Sequence, residues 1–157
     1  MHKIKVKNLT DKFKNAVNEK EALDIILRDN RNLKYLPDQF KKDKKFILGI
    51  IKQGHHVLEY VEDTFKKDRE IVLEAIKEEP TSMVYADDSF KKDKEVVLEA
   101  MKDNPLALDV AHNNLIKDKT FVLEALKINS LILEVIDEGL MKDPDVIASI
   151  DLIGKNK

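Results

Sequence analysis

The chain has 157 residues, 43% apolar and 37% charged, and carries no cysteine. Its 28 basic and 30 acidic side chains leave a formal charge of −2, without the positive excess of a simple nucleic-acid binder. The missing thiols exclude disulfides and thiolate metal or redox sites, and the low glycine and proline content leaves little material for β-turns.

The opening, Met1-His-Lys-Ile-Lys-Val-Lys-Asn-Leu, is basic but lacks the continuous apolar core of a secretory leader. No apolar run approaches the ~20 residues that span a bilayer. A soluble, cytoplasmic protein is expected, with delivery to or action in a host cell as the alternative and no membrane partner. The whole of 1–157 reads as a single helical-repeat domain in which residues 1–14 form an N-terminal cap.

From about residue 15 a 25-residue unit recurs without insertion. Phe40-Lys-Lys-Asp-Lys-Lys-Phe-Ile-Leu, Phe65-Lys-Lys-Asp-Arg-Glu-Ile-Val-Leu and Phe90-Lys-Lys-Asp-Lys-Glu-Val-Val-Leu start 25 residues apart, and Leu115 and Leu140 continue the register. The repeats are 15–39, 40–64, 65–89, 90–114 and 115–139, with 140–157 a truncated C-terminal cap repeat. Such self-similarity is the mark of a stacked repeat architecture.

At the fourth position of each unit stand Asp43, Asp68, Asp93, Asp118 and Asp143, with Asn18 in the first. Each precedes an apolar-periodic run, where a side-chain oxygen can accept from an unpaired N–H of the first helical turn. The column therefore reads as an N-cap ladder, and Pro144, suited to a first helical position, agrees. The helix that follows is apolar at unit positions 7, 8, 9, 11 and 12, an arc of roughly 200° that predicts packing on both sides. Glu74 with Lys77, Glu99 with Lys102 and Glu124 with Lys127 mark its solvent face. Position 15 holds Gly54, Asn104 and Asn129, residues that tolerate the left-handed conformation past a helix end, and Pro80 and Pro105 follow. A second, shorter helix is predicted through Leu106-Ala-Leu-Asp-Val-Ala and Leu131-Ile-Leu-Glu-Val-Ile.

Neither helix can bury its apolar face alone, so the expected fold is all-α: a short α-solenoid of helix-turn-helix repeats with right-handed stacking. Phe40, Phe65 and Phe90 read as plugs between units, with an aromatic ladder for stacking bases as the alternative. The pattern Lys-Asp-x-x, two apolar residues, Leu-x-Ala, an apolar residue, then Lys-x-Asn-Pro-x-x-Leu is clearest in residues 92–108. It resembles the short repeats catalogued as domain of unknown function 4116, well over about 40–150 and weakly over 15–39. Ser130 and His55 stand where that pattern has proline. The resemblance implies tandem helical repeats, often within larger proteins, and brings no established activity.

No phosphate loop, nucleophile elbow or His-Glu-x-x-His motif occurs. His55 and His56 would point about 100° apart on a helix, and His2 and His112 lie elsewhere, so no metal, cofactor or catalytic residue is expected. The remaining signal is charge. Lysines and one arginine gather at positions 2, 3 and 5 as Lys41, Lys42, Lys44, Lys66, Lys67, Arg69, Lys91, Lys92, Lys94, Lys117, Lys119 and Lys142. Stacking would align them as a basic ridge, a candidate interaction surface. Acidic residues at positions 23 and 24 (Glu62, Asp63, Asp87, Asp88, Asp137, Glu138) lie just before each basic cluster and would run beside it. Two functions fit: a protein-binding adaptor or inhibitor that occludes its target, and, less favoured, RNA or DNA binding along the ridge. A monomer or weak self-association is expected.

Overall fold

The computed structural model describes residues 18–103 and 105–155. Residues 1–14 and Asn104 fall outside that range, so the proposed N-terminal cap and one of the position-15 residues lie outside the described residues. Packing divides the chain into two compact units, Met1–Tyr85 and Ala86–Lys157. No strand occurs among the described residues.

The first unit contains α1 (Glu19–Arg28), a 3₁₀-helix (Asn30–Tyr35), α2 (Asp38–Lys41), α3 (Lys44–Ile51), α4 (Asp63–Lys66), α5 (Arg69–Glu78) and a 3₁₀-helix (Pro80–Tyr85). The second contains α6 (Asp88–Lys91), α7 (Lys94–Asp103), 3₁₀-helices at Pro105–Val110 and Leu115–Lys117, and α8 (Lys119–Ile128). It finishes with 3₁₀-helices at Ser130–Glu134 and Leu140–Lys142 and with α9 (Pro144–Lys155).

The long helix of each repeat begins at the aspartate column. The Asp43 carboxylate accepts from the N–H groups of Lys45 (2.8 Å) and Phe46 (3.3 Å), and Asp68 from Glu70 (3.1 Å) and Ile71 (3.3 Å). Asp93 does the same for Glu95 and Val96, Asp118 for Phe121, Asp143 for Asp145, and Asn18 for Glu21. Two of the four orphan donors at each N-terminus are thereby satisfied wherever the cap is doubled.

Positions 7, 8, 11 and 12 supply the core. Ile71, Val72, Ala75 and Ile76 on α5 are buried, as are Phe121, Val122, Ala125 and Leu126 on α8. Position 9, at Leu48, Leu73 and Leu123, is half-buried and widens the arc. In the second unit Val97 and Val122 are 0% exposed, yet Ile147 at the same register position on α9 is 44% exposed. Phe40, Phe65, Phe90 and Leu115 are buried, and the Phe40 ring meets Phe46 with centroids 5.3 Å apart. That column packs the interior, so the base-stacking alternative is discarded.

Two local expectations change. The second helix of the unit is a 3₁₀-helix, not an α-helix. Only five or six residues separate the two extended segments that flank it, and i→i+3 bonding, with its longer rise, completes two turns in that length. Asn32 N–H to the Asp29 carbonyl (2.9 Å) and Leu36 N–H to Leu33 (3.1 Å) show the pattern. A third helical piece, one turn at α2, α4 and α6, carries the buried phenylalanine and stops at the extended capping aspartate.

Position 15 also behaves differently. Gly54 is left-handed (φ 80°). It ends α3 in a Schellman arrangement, with Gly54 N–H to Ile51 at 2.8 Å and His55 N–H to Ile50 at 3.2 Å. Asn129, by contrast, is extended (φ −153°), as are Asp29 (−170°) and Glu79 (−147°). Their side chains turn forward and accept from the N–H two residues on, at Leu131, Arg31 and Thr81, thereby capping the 3₁₀-helix. A side-chain acceptor competes for that backbone and wins. Gly54 has none, and its repeat forms no 3₁₀-helix at that place.

Candidate functional site

The lysine column is largely committed to internal ion pairs. Position 5 reaches forward one repeat onto the next N-cap. The Lys44 Nζ lies 2.7 Å from an Asp68 oxygen and 2.9 Å from Glu70. Lys94 meets Asp118 at 2.7 Å and donates to the Thr120 hydroxyl at 2.8 Å, and Lys119 meets Asp143 (2.9 Å) and Asp145 (2.6 Å). One carboxylate thus caps its own helix and receives the cation of the preceding repeat. The geometry follows from the 25-residue register, which brings position 5 beside position 4 of the next unit.

These contacts shift the titration of both partners. Hydrogen bonds from Lys94, then Thr120 and the Phe121 N–H, hold the Asp118 carboxyl far below the usual carboxylate range. Burial works to raise Asp68, but Lys44 and the capped N–H groups outweigh it and leave it lowered. Bonds from Asp68 and Glu70 raise Lys44, and those from Asp145 and Asp143 raise Lys119.

Position 2 is tied within its own turn. Lys41 pairs with Asp38 (3.0 Å), Lys66 with Asp63 (3.7 Å) and Lys91 with Asp88 (2.7 Å). Lys42 shares Asp38 at 2.7 Å. Lys67 and Arg69 are also engaged. Lys92 and Lys117 make no ion pair among the described residues. The acidic and basic rows run side by side as their spacing suggested, and they neutralise one another. Of the solvent-face pairs, Lys102 and Glu99 meet at 2.6 Å.

Lys92 borders a cleft of about 650 Å³ in the second unit, lined also by Asp88, His112 and Asn113. There His112 and Asn113 occupy positions 23 and 24, which are acidic at Glu62-Asp63 and Asp137-Glu138. The backbone register is unchanged: His112 N–H donates to the Lys91 carbonyl (2.8 Å) as Asp137 N–H does to Ile116 (3.2 Å). The acidic pair itself is gone, and Asp88, already paired with Lys91, is the acid left on the cleft.

A second feature went unread in the sequence although its spacing was visible. Tyr35, Tyr60 and Tyr85 occupy position 21 of three consecutive repeats. All lie in the first unit, where Tyr35 and Tyr85 are exposed and Tyr60 half-buried. Tyr35 and Tyr85 end the 3₁₀-helices that bury Leu33 and Met83. The Lys34 ammonium lies 5.0 Å from the centre of the Tyr35 ring, within reach of a cation–π contact.

Tyr60 and Tyr85 line a cleft of about 410 Å³ with Asp29, Arg31, Glu59 and Glu79. Arg31 forks onto Asp29, its Nε 3.0 Å from both carboxylate oxygens and its Nη2 2.7 Å from Oδ2. Glu79 accepts from the Thr81 hydroxyl at 2.6 Å, and the His56 Nδ1 lies 3.8 Å from its other oxygen. A hydrogen bond with Glu59, then partial burial and the charges of Glu59 and Tyr85, raises the Tyr60 phenol, with Arg31 opposing. Thr81 and Arg31, by backbone and side-chain bonds, lower Glu79 and Asp29 respectively. Its lining combines two tyrosine rings with polar groups, and three acidic residues accompany one permanently charged base. No group of three or more potential metal ligands gathers among the described residues. None of their helices is long and apolar enough to cross a membrane.

These features define a tandem array of 25-residue helical repeats in which, within each unit, a lysine of one repeat clamps the helix cap of the next. The chain belongs to the family described as Domain of unknown function (DUF4116), whose model matches residues 18–66, 43–91, 68–117 and 93–141. Each match begins on a helix-capping residue, Asn18, Asp43, Asp68 or Asp93, and spans two successive repeats. No curated protein and no solved structure matches the chain.

Proposed function

We propose that the chain is a non-catalytic protein-binding module, an adaptor or an inhibitor that covers its target, and that it binds through the tyrosine-bearing edge of the first unit. The observation that carries this reading is the column Tyr35, Tyr60, Tyr85 beside a polar cleft. Tyrosine is enriched at protein interfaces because a rigid ring offers large contact area at low entropic cost and its hydroxyl satisfies polar neighbours. Exposed Val84 at 50% enlarges the apolar part of that edge. The lysine ridge supports binding less well, because most of its cations are already paired.

Nucleic-acid binding keeps one specific foothold, the cleft around Lys92 and His112 where the acidic row is interrupted. Affinity capture with the tagged chain at low and high salt separates the two readings. A stoichiometric protein retained at high salt, and lost with Tyr60→Ser/Tyr85→Ser, is the expected result. Nucleic acid released as salt rises, and lost with Lys92→Glu but not with the tyrosine changes, would overturn it, because counterion release makes such binding steeply salt-dependent.

A further inference from the structure

The first unit contains its own precedent for what its cleft accepts. At position 15 of the first repeat, Asp29 holds the Arg31 guanidinium in a fork. At position 15 two repeats later stands Glu79, and position 17 there is Thr81 in place of arginine. Glu79 keeps one oxygen on Thr81, while the other has only the His56 ring at 3.8 Å. No lysine or arginine among the described residues pairs with it. A carboxylate that in one repeat is satisfied by an internal guanidinium is, in the other, open toward the cleft.

The walls repeat the same logic. The Tyr35 ring carries the Lys34 ammonium on its face. Residues 59 and 84 stand where Lys34 stands, and they are Glu59 and Val84. Tyr60 and Tyr85 therefore line the cleft without a lysine at the preceding position, and the one permanent cation near them, Arg31, is already forked onto Asp29. Glu59 adds a second carboxylate, so that three acids, Asp29, Glu59 and Glu79, surround one permanent cation, Arg31.

We propose that this cleft binds an arginine side chain of a partner protein, its guanidinium on Glu79 and its plane against the Tyr60 and Tyr85 rings. Planar guanidinium suits both contacts, since it forks onto a carboxylate and lays its plane on an aromatic face, whereas a lysine ammonium meets a ring only as a point charge and cannot fork. The cleft, at about 410 Å³, has room for one side chain and adjoining backbone, so the occupant is an extended segment with a single anchoring arginine. The inference rests on the protein-binding reading and names the chemistry of its partner.

The test uses the full chain and a fluorescein-labelled peptide of glycine and serine carrying one central arginine. Its controls are the same peptide with citrulline or with lysine in place of arginine. Fluorescence anisotropy should show the arginine peptide binding about tenfold more tightly than the citrulline peptide, the usual worth of one charge-assisted pair. Glu79→Gln should remove about the same factor, Tyr85→Ala should weaken binding further, and Glu99→Gln in the second unit should change nothing. Circular dichroism checks that each variant is folded. Equal binding of arginine and citrulline peptides, or insensitivity to Glu79→Gln in a folded variant, would overturn the proposal. If the peptide fails while Tyr60→Ser/Tyr85→Ser still abolishes protein capture, the arginine assignment falls and the binding-module reading stands. If both fail, the cleft is not the interface.

Discussion

The Asp68 carboxylate does two jobs, and substitution can separate them. It accepts from Glu70 and Ile71 N–H groups and takes the Lys44 ammonium at 2.7 Å. Asp68→Ala removes both roles. Loss of an N-cap costs about 0.5–2 kcal/mol, and loss of a partly exposed ion pair adds at most ~1 kcal/mol. Asp68→Asn keeps an acceptor for the cap and removes only the charge, so its expected cost is confined to that second, smaller part. Urea unfolding followed by circular dichroism measures both. With an m-value of about 1–3 kcal/mol/M, Asp68→Ala should lower the midpoint by roughly 1 M and Asp68→Asn by clearly less. Asp68→Asn as damaging as Asp68→Ala would mean that charge pairing, not capping, holds the joint. No change with Asp68→Ala would refute both roles.

Acid should unfold the repeats through the capping column and the acidic row beside it. Asp38, Asp68, Asp88, Asp118 and Asp143 all have lowered folded-state values. Their contribution is complete above the ordinary carboxylate value and lost as pH falls below about 4; a urea midpoint unchanged from pH 7 to 2 would contradict this. Lys44 and Lys119 are raised, so their contribution holds below the ordinary lysine value and disappears as pH climbs past it. Ile47→Ala, at a fully buried position 8, should cost about 2–5 kcal/mol. Ile147→Ala, at the exposed equivalent on α9, should cost a small fraction of that; equal midpoints for the two variants would deny the register. Gly54→Ala meets no atom within 4 Å, so its cost should come from the positive φ alone, about 1–2 kcal/mol; a neutral variant would show that this turn relaxes.

Most of the framework was legible in the chain because it depends on local rules repeated at fixed spacing. Aspartate before an apolar run specifies a helix start wherever it occurs, and five copies of Asp at position 4 made that plain. The buried phenylalanines followed from the same periodicity. Local rules were less reliable where two compete. Asn129 suits both a left-handed helix end and an extended cap, and its side-chain bond to Leu131 N–H decided for the second. The third helical turn at α2, α4 and α6 was hidden because four residues show no period.

What the sequence determined by itself was the repeat, its length, its caps and its core positions, all set by residues near one another along the chain. The tertiary structure alone decided what the charges and rings do. Lys44 and Asp68 are 24 residues apart and meet only because stacking returns the chain to the same edge, which turns a supposed basic ridge into a row of clamps. The opening beside Tyr60 and Tyr85 likewise exists only once three repeats have closed around it, since a cleft is a property of surfaces brought together in space.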